Sequence, residues 1–321
     1  MKIEKLTPAF KDYLWGGTRL RDVYHKPCDF EKVAESWELS THPAGESAIC
    51  GGEFDGMSLT EYFKGHPEVL GENVQKFENF PVLIKLIDAK EPLSIQVHPS
   101  DEYALKAEHE YGKTEMWYIV DCDPGAALYF GVNRSVTPEE FRRRIEDNTV
   151  EEVLNRAEVH PGDVFFIEAG TLHAIGAGIL ICEIQQNSNC TYRVYDYDRR
   201  GADGRPRELH IEKAMAVSRL TPNEGAGQAP EAKPIQGGTM ARLGECRYFT
   251  TDRYVVESEV SISVGEGSFL SLTAVEGSGQ IEGPENTVEF RPGDTLFVPA
   301  GTGSVTVKGC ATVVAVGVGG E

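Results

Sequence analysis

The stretch 160–176, HPGDVFFIEAGTLHAIG, decides the fold, because the chain contains it twice. It aligns without gaps with residues 291–307, RPGDTLFVPAGTGSVTV, so that the Pro-Gly-Asp turn, the apolar run and the Ala-Gly-Thr turn coincide. Agreement over such a length at one spacing predicts two copies of a single β-unit. At the position of His173 the second copy has Ser304, so only the first copy retains an imidazole.

Short strands are predicted along most of the chain. Its 34 glycines and 17 prolines separate runs rich in Val, Ile, Phe and Tyr, a spacing typical of antiparallel sandwiches or barrels. Three segments, 58–71, 137–155 and 208–220, predict short helices instead, and the second opens with a capping Thr and a Pro at the first helical position. A length of 321 residues favours two domains. We place their boundary in the Gly/Ala/Pro-rich segment 221–234.

Charge and hydropathy exclude several classes of protein. The net charge is −20 and no basic stripe is present, which disfavours nucleic-acid binding because phosphate neutralisation needs clustered cations. No apolar run reaches the ~18 residues that a membrane span needs, and the N-terminus lacks the apolar core of a signal peptide. Seven cysteines without Cys-x-x-Cys spacing favour free thiols in a reducing compartment. We therefore expect a cytoplasmic protein with neither a nucleic-acid nor a membrane partner; the oligomeric state is not predicted.

Polar side chains line one face of a predicted strand in the stretch 91–104, EPLSIQVHPSDEYA. Period-2 alternation places Ser94, Gln96 and His98 on one side and apolar residues on the other. A strand face in contact with solvent would more naturally carry Lys, Glu or Thr than an amide beside an imidazole. We interpret this face as looking into the protein.

The first copy of the repeat resembles the second signature motif of the cupin superfamily, a Gly followed by five residues and then x-x-Gly-x-x-His. The usual proline of that motif is Glu168 here, whereas the second copy has Pro299. Cupins are small double-sheet barrels that hold a metal ion between two motifs. The resemblance implies a mainly β protein with two cupin-type double-stranded β-helix (jelly-roll) barrels and a few added helices. The first, 1–225, would bind the metal, and the second, 235–321, would be degenerate and lack the metal histidine.

The first cupin motif typically supplies two histidines in His-x-His and then a glutamate. Here Gln96-x-His98 takes the first role and Glu115 the second. Together with His173 they form a mixed nitrogen and oxygen set that leaves a position open for substrate, with Gln96 as a weak fourth ligand. Each residue alone also has an ordinary structural role, such as an ion pair between Glu115 and Lys113. Such ligands accept zinc, cobalt, nickel, iron or manganese, so the set does not determine the ion.

Several segments together resemble the type I mannose-6-phosphate isomerases, and more closely the short bacterial form of that family. Besides the Lys113-x-Glu115 pair, they are LIKLIDAKEPLSIQVHPSD (83–101), TYRVYDYDRRGADGRPRELHIEKAM (191–215), YLWGGTRL (13–20) and AESWELSTHPAGES (34–47). The resemblance covers about residues 1–220 and continues weakly into the second copy. The run SIQVHP is specific to this family, whereas the Gly-x-x-His pattern alone is a weak signal.

The resemblance implies an aldose–ketose isomerase that interconverts mannose 6-phosphate and fructose 6-phosphate through a metal-stabilised cis-enediol. One Zn²⁺ per chain is the expected cofactor, with another divalent metal as the alternative, and a small-molecule sugar phosphate is the expected partner. The implied site residues are catalytic Arg193 and Lys113; metal-ligating His98, Glu115, His173 and Gln96; and substrate-binding Ser94 and Lys85. Longer members carry an inserted helical domain that this chain is too short to contain, which leaves the phosphate contacts open.

Several alternatives remain open at this stage. Arg193 pairs equally well with a nearby Asp as with a substrate. The proton-transferring group is Lys113, Glu183, a neighbour of His173 or a metal-bound water. An iron-dependent cupin oxygenase is disfavoured because Gln-x-His departs from His-x-His. A non-catalytic sugar-binding or regulatory relative is disfavoured because neither a ligand nor Arg193 is lost. We expect the second barrel to cover hydrophobic surface on the first.

Overall fold

The protein is built mainly from β-strands. A computed structural model describes residues 1–201, 204–223 and 227–320. The strands of these residues are β1 (Glu4–Thr7), β2 (Ala9–Lys11), β3 (Glu35–Leu39), β4 (Ala48–Cys50), β5 (Val82–Ala89), β6 (Ile95–Val97), β7 (Glu115–Cys122), β8 (Ala127–Val132), β9 (Leu154–Glu158), β10 (Val164–Ile167), β11 (His173–Ala174), β12 (Ile179–Gln186), β13 (Tyr192–Tyr195), β14 (Lys233–Ile235), β15 (Gly238–Glu245), β16 (Thr250–Val256), β17 (Glu259–Val264), β18 (Leu270–Glu282), β19 (Thr287–Phe290), β20 (Thr295–Val298) and β21 (Gly303–Gly317). Their α-helices are α1 (Arg19–Asp22), α2 (Leu59–Gly65), α3 (Asp101–Ala107), α4 (Pro138–Glu146) and α5 (Ile211–Val217), and 3-10 turns occupy Pro67–Leu70, Val74–Lys76 and Val150–Val153. The predicted mainly β fold class is confirmed.

The paired strands run antiparallel in three sheets. A six-stranded sheet has the order β10-β7-β12-β5-β3-β2, and a five-stranded sheet has the order β13-β6-β11-β8-β9. A ten-stranded sheet contains all the strands from β14 onward, together with β1 and β4 from the N-terminal region. The first two sheets face each other as in a jelly roll, and they do not close into a complete barrel among the described residues.

The six-stranded sheet is the central layer of the molecule. Its inner side meets the five-stranded sheet across an apolar core that includes Trp117, Phe130 and Ile181. Its outer side packs against the ten-stranded sheet, and α4 and α5 cover the far side of the five-stranded sheet. Strands β5 and β12 are therefore buried along their whole length. Any polar side chain on them must find its partners inside the protein.

The alternation predicted for the stretch 91–104 is confirmed within strand β6. Ile95 and Val97 pack toward the helices, and Gln96 and the residue after the strand, His98, point the other way, into the space between the two sheets. Leu93 precedes the strand and packs in the inner core instead. The polar face thus looks into the protein, as its composition indicates.

The repeated stretch begins with the same turn and strand in both copies. Strands β10 and β20 have equal lengths, and each follows a Pro-Gly-Asp turn whose glycine has a positive φ, 97° at Gly162 and 89° at Gly293. Strand β1 pairs with β20 through Glu4 and Phe297, so the N-terminal strand joins the sheet of the second copy. The domain limits 1–225 and 235–321 stay predictions, and 224–226 in the predicted linker lie outside the described residues.

The three predicted helical segments are helical over shorter ranges. In 137–155, Thr137 caps α4 by accepting a hydrogen bond from the Glu140 amide, but the helix ends at Glu146 because Asn148 adopts a left-handed φ of 55°. The segments 58–71 and 208–220 contain α2 and α5. Helices α1 and α3 are not predicted from the sequence.

The seven cysteines are free thiols, as their spacing predicts. Among the described residues, no helix has both the length and the apolar character that crossing a membrane requires. The cytoplasmic location stays a prediction.

Candidate active site

The fold brings the three predicted metal ligands together from both facing sheets. His98 follows β6 and His173 begins β11, next to it in the five-stranded sheet, where His173 lies opposite Gln96. Glu115 begins β7 in the six-stranded sheet. The three side chains are at most 1% exposed, and their ligand atoms all lie within 4.8 Å of one another. This is the group of potential metal ligands that the described residues contain.

The hydrogen bonds of the two imidazoles orient them as ligands. His98 Nδ1 lies 2.9 Å from the Cys190 carbonyl oxygen, and His173 Nδ1 lies 2.8 Å from that of Thr171. A carbonyl oxygen only accepts, so each Nδ1 carries the proton and each Nε2 presents a lone pair. Burial lowers the pKa of His98 to about 3 and also lowers the pKa of His173, which keeps both rings neutral.

These lone pairs converge with the carboxylate of Glu115. The two Nε2 atoms of His98 and His173 are 3.1 Å apart, and the Glu115 oxygens lie 3.5 Å from the first and 3.4 Å from the second. The two Nε2 lone pairs face each other and repel unless a cation lies between them. The donor set therefore fits a divalent metal ion, with an open position for substrate.

Lys113 and Gln96 flank the three ligands. Lys113 Nζ lies 2.5 Å from Glu115 Oε2 and 3.3 Å from His98 Nε2. Burial raises the pKa of Glu115, but the positive charge of the adjacent Lys113 ammonium outweighs burial and holds that pKa well below its usual range. Gln96 Nε2 lies 3.4 Å from His173 Nε2. The amide is thus close enough to act as a further ligand if it turns its oxygen toward the site.

Alternating charges extend from Lys113 along the inner side of the six-stranded sheet. Glu183 Oε1 lies 3.7 Å from Lys113 Nζ and 3.4 Å from Lys85 Nζ, and Lys85 lies 3.6 Å from Glu35. The Trp117 indole donates a 2.9 Å hydrogen bond to Glu183. Burial, and next the charge of Glu115, raise the pKa of Glu183. A buried carboxyl with a raised pKa is suited to exchange a proton near neutral pH.

A cavity of about 270 Å³ opens above the ligands, and the predicted substrate-contacting and catalytic residues line it. These residues are Ser94, Lys85, Gln96, Lys113 and Arg193. The structure therefore places every predicted site residue either at the ligand cluster or on the wall of this cavity. Their roles stay predictions.

Arg193 faces the cavity rather than a carboxylate partner. In strand β13, Tyr192 and Val194 are buried against the helices, and Arg193 is on the other face. Its Nη1 donates a 2.8 Å hydrogen bond to the Glu208 carbonyl, and its buried Nε has no hydrogen-bond partner among the described residues. Burial, and next the charge of Arg207, lower the pKa of Arg193. The nearby Asp that was its expected structural partner is occupied elsewhere.

Several cavity-lining residues were not predicted as site residues, and among them are the polar or charged Glu35, Asn189 and Arg207. Glu35 and Arg207 lie within segments that carried the family resemblance, but nothing in the spacing of either segment indicates which side chain faces inward. Asn189 lies in a loop whose backbone amide donates to Glu110. The loop conformation, which local sequence does not determine, brings it to the cavity.

Two family models match the chain: type I phosphomannose isomerase, catalytic domain, over residues 3–120, and mannose-6-phosphate isomerase, cupin domain, over residues 239–318. The chain is 38% identical to the mannose-6-phosphate isomerase ManA of Bacillus subtilis, with 95% of each chain covered. The chain belongs to the type I mannose-6-phosphate isomerase family. A mannose-6-phosphate isomerase of Streptococcus mutans is 37% identical over 89% of both chains.

Solved structures of mannose-6-phosphate isomerases have the same fold. The crystal structure of the Bacillus subtilis enzyme matches with a TM-score of 0.91 at 36% identity, over 98% of this chain and 99% of that one. A zinc-bound mannose 6-phosphate isomerase matches with a TM-score of 0.79 at 19% identity, a likeness that shows the fold alone. The predicted family and fold are thus confirmed, and the buried donor set of this chain supports a metal cofactor.

Proposed function

We propose that this chain interconverts mannose 6-phosphate and fructose 6-phosphate through a cis-enediol. One observation carries the proposal: two imidazole lone pairs and a buried carboxylate converge at the base of a cavity lined by proton carriers and cations. The mannose-6-phosphate isomerases to which this chain is similar along nearly its whole length support the assignment. No observation favours an oxygenase or a non-catalytic binding role.

The proposed cofactor is one Zn²⁺ per chain. His98, Glu115 and His173 would hold it, with Gln96 as a fourth ligand through its amide oxygen. This mixed set with an open position is of the catalytic zinc type. When bound, the ion supplies a Lewis acid that stabilises negative charge on the oxygens of C1 and C2.

The Lys113–Glu183 pair is proposed to carry the proton. In the forward direction a base removes the proton from C2 of the open-chain aldose and the C1 oxygen is protonated, which gives the C1–C2 enediol. The C2 hydroxyl then loses its proton as the proton is returned to C1, so that C2 becomes the carbonyl of the ketose. Glu183 has the raised pKa that such a base needs, and the Trp117 indole holds it in place. Arg193 remains protonated at every relevant pH, so it stabilises the charge of the enediol rather than accepting a proton.

We place the phosphate at the arginine end of the cavity. Arg199 and Arg207 both lie 2.5 Å from Asp196, and Arg193 lies near them with only a carbonyl as acceptor. The three guanidinium groups carry three positive charges, whereas Asp196 and the neighbouring Glu208 carry two negative charges. The excess positive charge suits a phosphate dianion, and Arg207 reaches the cavity wall with a fork geometry that phosphate favours.

The wall near Lys85 is suited to the sugar instead. Glu35 and Glu183 both lie beside the Lys85 ammonium, and their charges raise its pKa although burial, the largest influence, lowers it. A cation that is already balanced by two carboxylates gains little from a phosphate. We therefore propose that Lys85 and Ser94, which were predicted as substrate-binding residues, contact sugar hydroxyls.

The test is conversion of mannose 6-phosphate to fructose 6-phosphate by protein stripped with a chelator and then reloaded with zinc. We expect the activity to disappear and return, and the zinc content to follow it. Cobalt or manganese in place of zinc would show whether another divalent ion suffices. A zinc-loaded protein that does not isomerise either sugar phosphate would contradict the proposal.

A further inference from the structure

A buried polar cluster attaches the back of strand β3 to the second copy of the repeat. The cluster consists of Lys26, Ser36, Glu38 and Thr295, and we call it the docking cluster. Glu38 Oε1 accepts hydrogen bonds from Lys26 Nζ at 2.5 Å and from Ser36 Oγ at 2.6 Å, and its Oε2 accepts one from Thr295 Oγ1 at 3.1 Å. The Lys26 ammonium also donates to the Gly293 carbonyl. Because all these groups are buried, each lost partner leaves an unsatisfied polar group.

The second copy makes this contact through Thr295 and the turn at Gly293, and the corresponding positions of the first copy make no such contact. Thr295 occupies the position of Val164 in the gapless alignment. At Gly293, a Cβ atom would lie 2.8 Å from Tyr24 Cδ1 and 3.1 Å from Lys26 Cε, whereas at Gly162 it would meet only an Arg253 nitrogen at 3.7 Å. The Pro-Gly-Asp turn of the second copy, 292–294, therefore packs closely against Tyr24 and Lys26, and we call it the docking turn. The same turn of the first copy, 161–163, has no such close neighbour.

The opposite side of the same strand faces the substrate cavity. Glu35 and Trp37 point inward from β3, and Trp37 lies opposite Lys85 in the sheet. The Trp37 indole donates a 2.6 Å hydrogen bond to Glu35, and Lys85 Nζ lies 4.8 Å from the centre of the indole ring. The position of β3 thus determines where the Lys85 ammonium sits.

Strand β3 needs this anchor because the sheet alone holds it weakly. Its outer neighbour, β2, is only three residues long, and its pairing with β5 shifts register between Trp37 and Leu39. A short strand next to the edge of a sheet, with an irregular register, has few ladder hydrogen bonds to resist displacement. The docking cluster supplies the missing constraint from the second copy.

We propose that Glu38 and Thr295 are positioning residues for the isomerisation, acting through β3 on Glu35, Trp37 and Lys85. The inference rests on the proposed function. The second copy then has a part in substrate binding although it holds no metal ligand set, since it sets the wall that contacts the sugar.

The test compares substitutions at Thr295. Thr295→Val keeps the shape and introduces the residue of the first copy, but it removes the donor to Glu38 Oε2. We expect kcat/KM for mannose 6-phosphate to fall about fivefold, mainly through a higher KM, because small displacements of binding groups are costly. Thr295→Ser keeps the hydroxyl and should restore kcat/KM to within about twofold of wild type.

Tyr24→Phe is the matched control. The Tyr24 hydroxyl donates a 2.8 Å hydrogen bond to the Val275 carbonyl, so this hydrogen bond crosses the same interface without involving a residue of β3. Both Tyr24→Phe and Thr295→Val should lower Tm, and only Thr295→Val should raise KM. A purely structural role would lower the active fraction, and hence kcat, with KM unchanged in both variants, and this outcome would overturn the inference.

A double-mutant cycle provides a second readout. Glu35→Gln removes a carboxylate partner of Lys85 on the inner side of β3. Adding Thr295→Val to this variant should therefore lower kcat/KM little further. If the two fold-losses in kcat/KM simply multiply, the inference is contradicted. If the wild-type protein does not isomerise the substrate, the proposed function fails and the inference fails with it. If the wild type is active and Thr295→Val matches it in KM, only the inference fails.

Discussion

In the first copy of the repeat, the strand after the Pro-Gly-Asp turn leads to a fully buried His173, whereas in the second copy it leads to an exposed Ser304. The inner side chains of β10, Phe165 and Ile167, have their counterparts in Leu296 and Val298 of β20, and each pair packs in the core of its own copy. The backbone and the apolar positions are therefore retained in both copies. The inward-facing polar residues differ.

The interior of the first copy contains charges that a folded protein tolerates only in pairs. Four buried charged side chains form a row along the sheet, in which each lies within ion-pair distance of the next: Lys85, Glu183, Lys113 and Glu115. Burying a charge costs several kcal/mol unless a partner compensates it. In the described part of the second copy, 235–320, the buried side chains are apolar or are Ser and Thr, and none of them is charged. The first copy differs from the second in a few inward positions that carry charged side chains, and these positions form the candidate site. Burying those charges lowers the stability of the folded protein.

The largest effect is expected when the first copy is given the residue of the second. His173→Ser removes one of the two nitrogen ligands, so zinc content should fall below one per chain and kcat/KM should drop about a thousandfold or more. Metal analysis and the coupled isomerase assay measure both. The reverse change, Ser304→His, is the control: an exposed imidazole without buried partners should bind no additional zinc. If His173→Ser retains zinc and activity, the ligand assignment is wrong.

Removal of the Arg193 guanidinium should have the next largest effect. Arg193→Ala should lower kcat about a hundredfold or more, as loss of a preorganised group that stabilises transition-state charge typically does. Zinc content should stay at the wild-type level, because the Arg193 guanidinium has no hydrogen bond or ion pair with His98, Glu115 or His173 among the described residues. Arg199→Gln is the matched control, since Arg199 also belongs to the arginine end but does not line the cavity. Equal losses in the two variants would argue for a structural role of the whole cluster.

Arg207 should distinguish the phosphate end of the cavity from the sugar end. Arg207→Gln should raise KM for mannose 6-phosphate about tenfold and leave the affinity for unphosphorylated mannose unchanged, because only the phosphate loses a charge-assisted contact. Competition by inorganic phosphate should weaken in parallel. A loss that is equal for both sugars would place the phosphate elsewhere.

The smallest effect on activity is expected in the core of the second copy. Ile262 lies in β17, among the apolar residues of that core. Ile262→Ala should lower the free energy of unfolding by about 2–4 kcal/mol, as measured by denaturant unfolding, with kcat and KM of the folded enzyme unchanged. A change in KM would show that the core of the second copy, and not only its docking turn, affects the catalytic wall.

Much of this protein is determined by local sequence. The two copies of the repeat, the short strands and the inward face of Gln96 and His98 follow from residue spacing, because alternation along a strand has a fixed period of two. Family resemblance added the ligand set, and the fold brings those ligands together. The helix predicted over 137–155 proved too long, because the left-handed backbone at Asn148 ends it and tolerance of that conformation by Asn is a weak signal in sequence.

Only the tertiary structure decided which neighbours each buried group has. Nothing in the stretch 34–47 indicates that Glu35 faces the cavity while Glu38 faces the second copy. Each side of β3 packs against residues that are distant in sequence, so the local pattern does not show which side is which. The sequence likewise does not indicate that Arg207 lines the cavity, because the conformation of the loop that contains it brings it there. Alternation tells which side chains share a face of a strand, but the long-range packing of one sheet on another determines what that face meets.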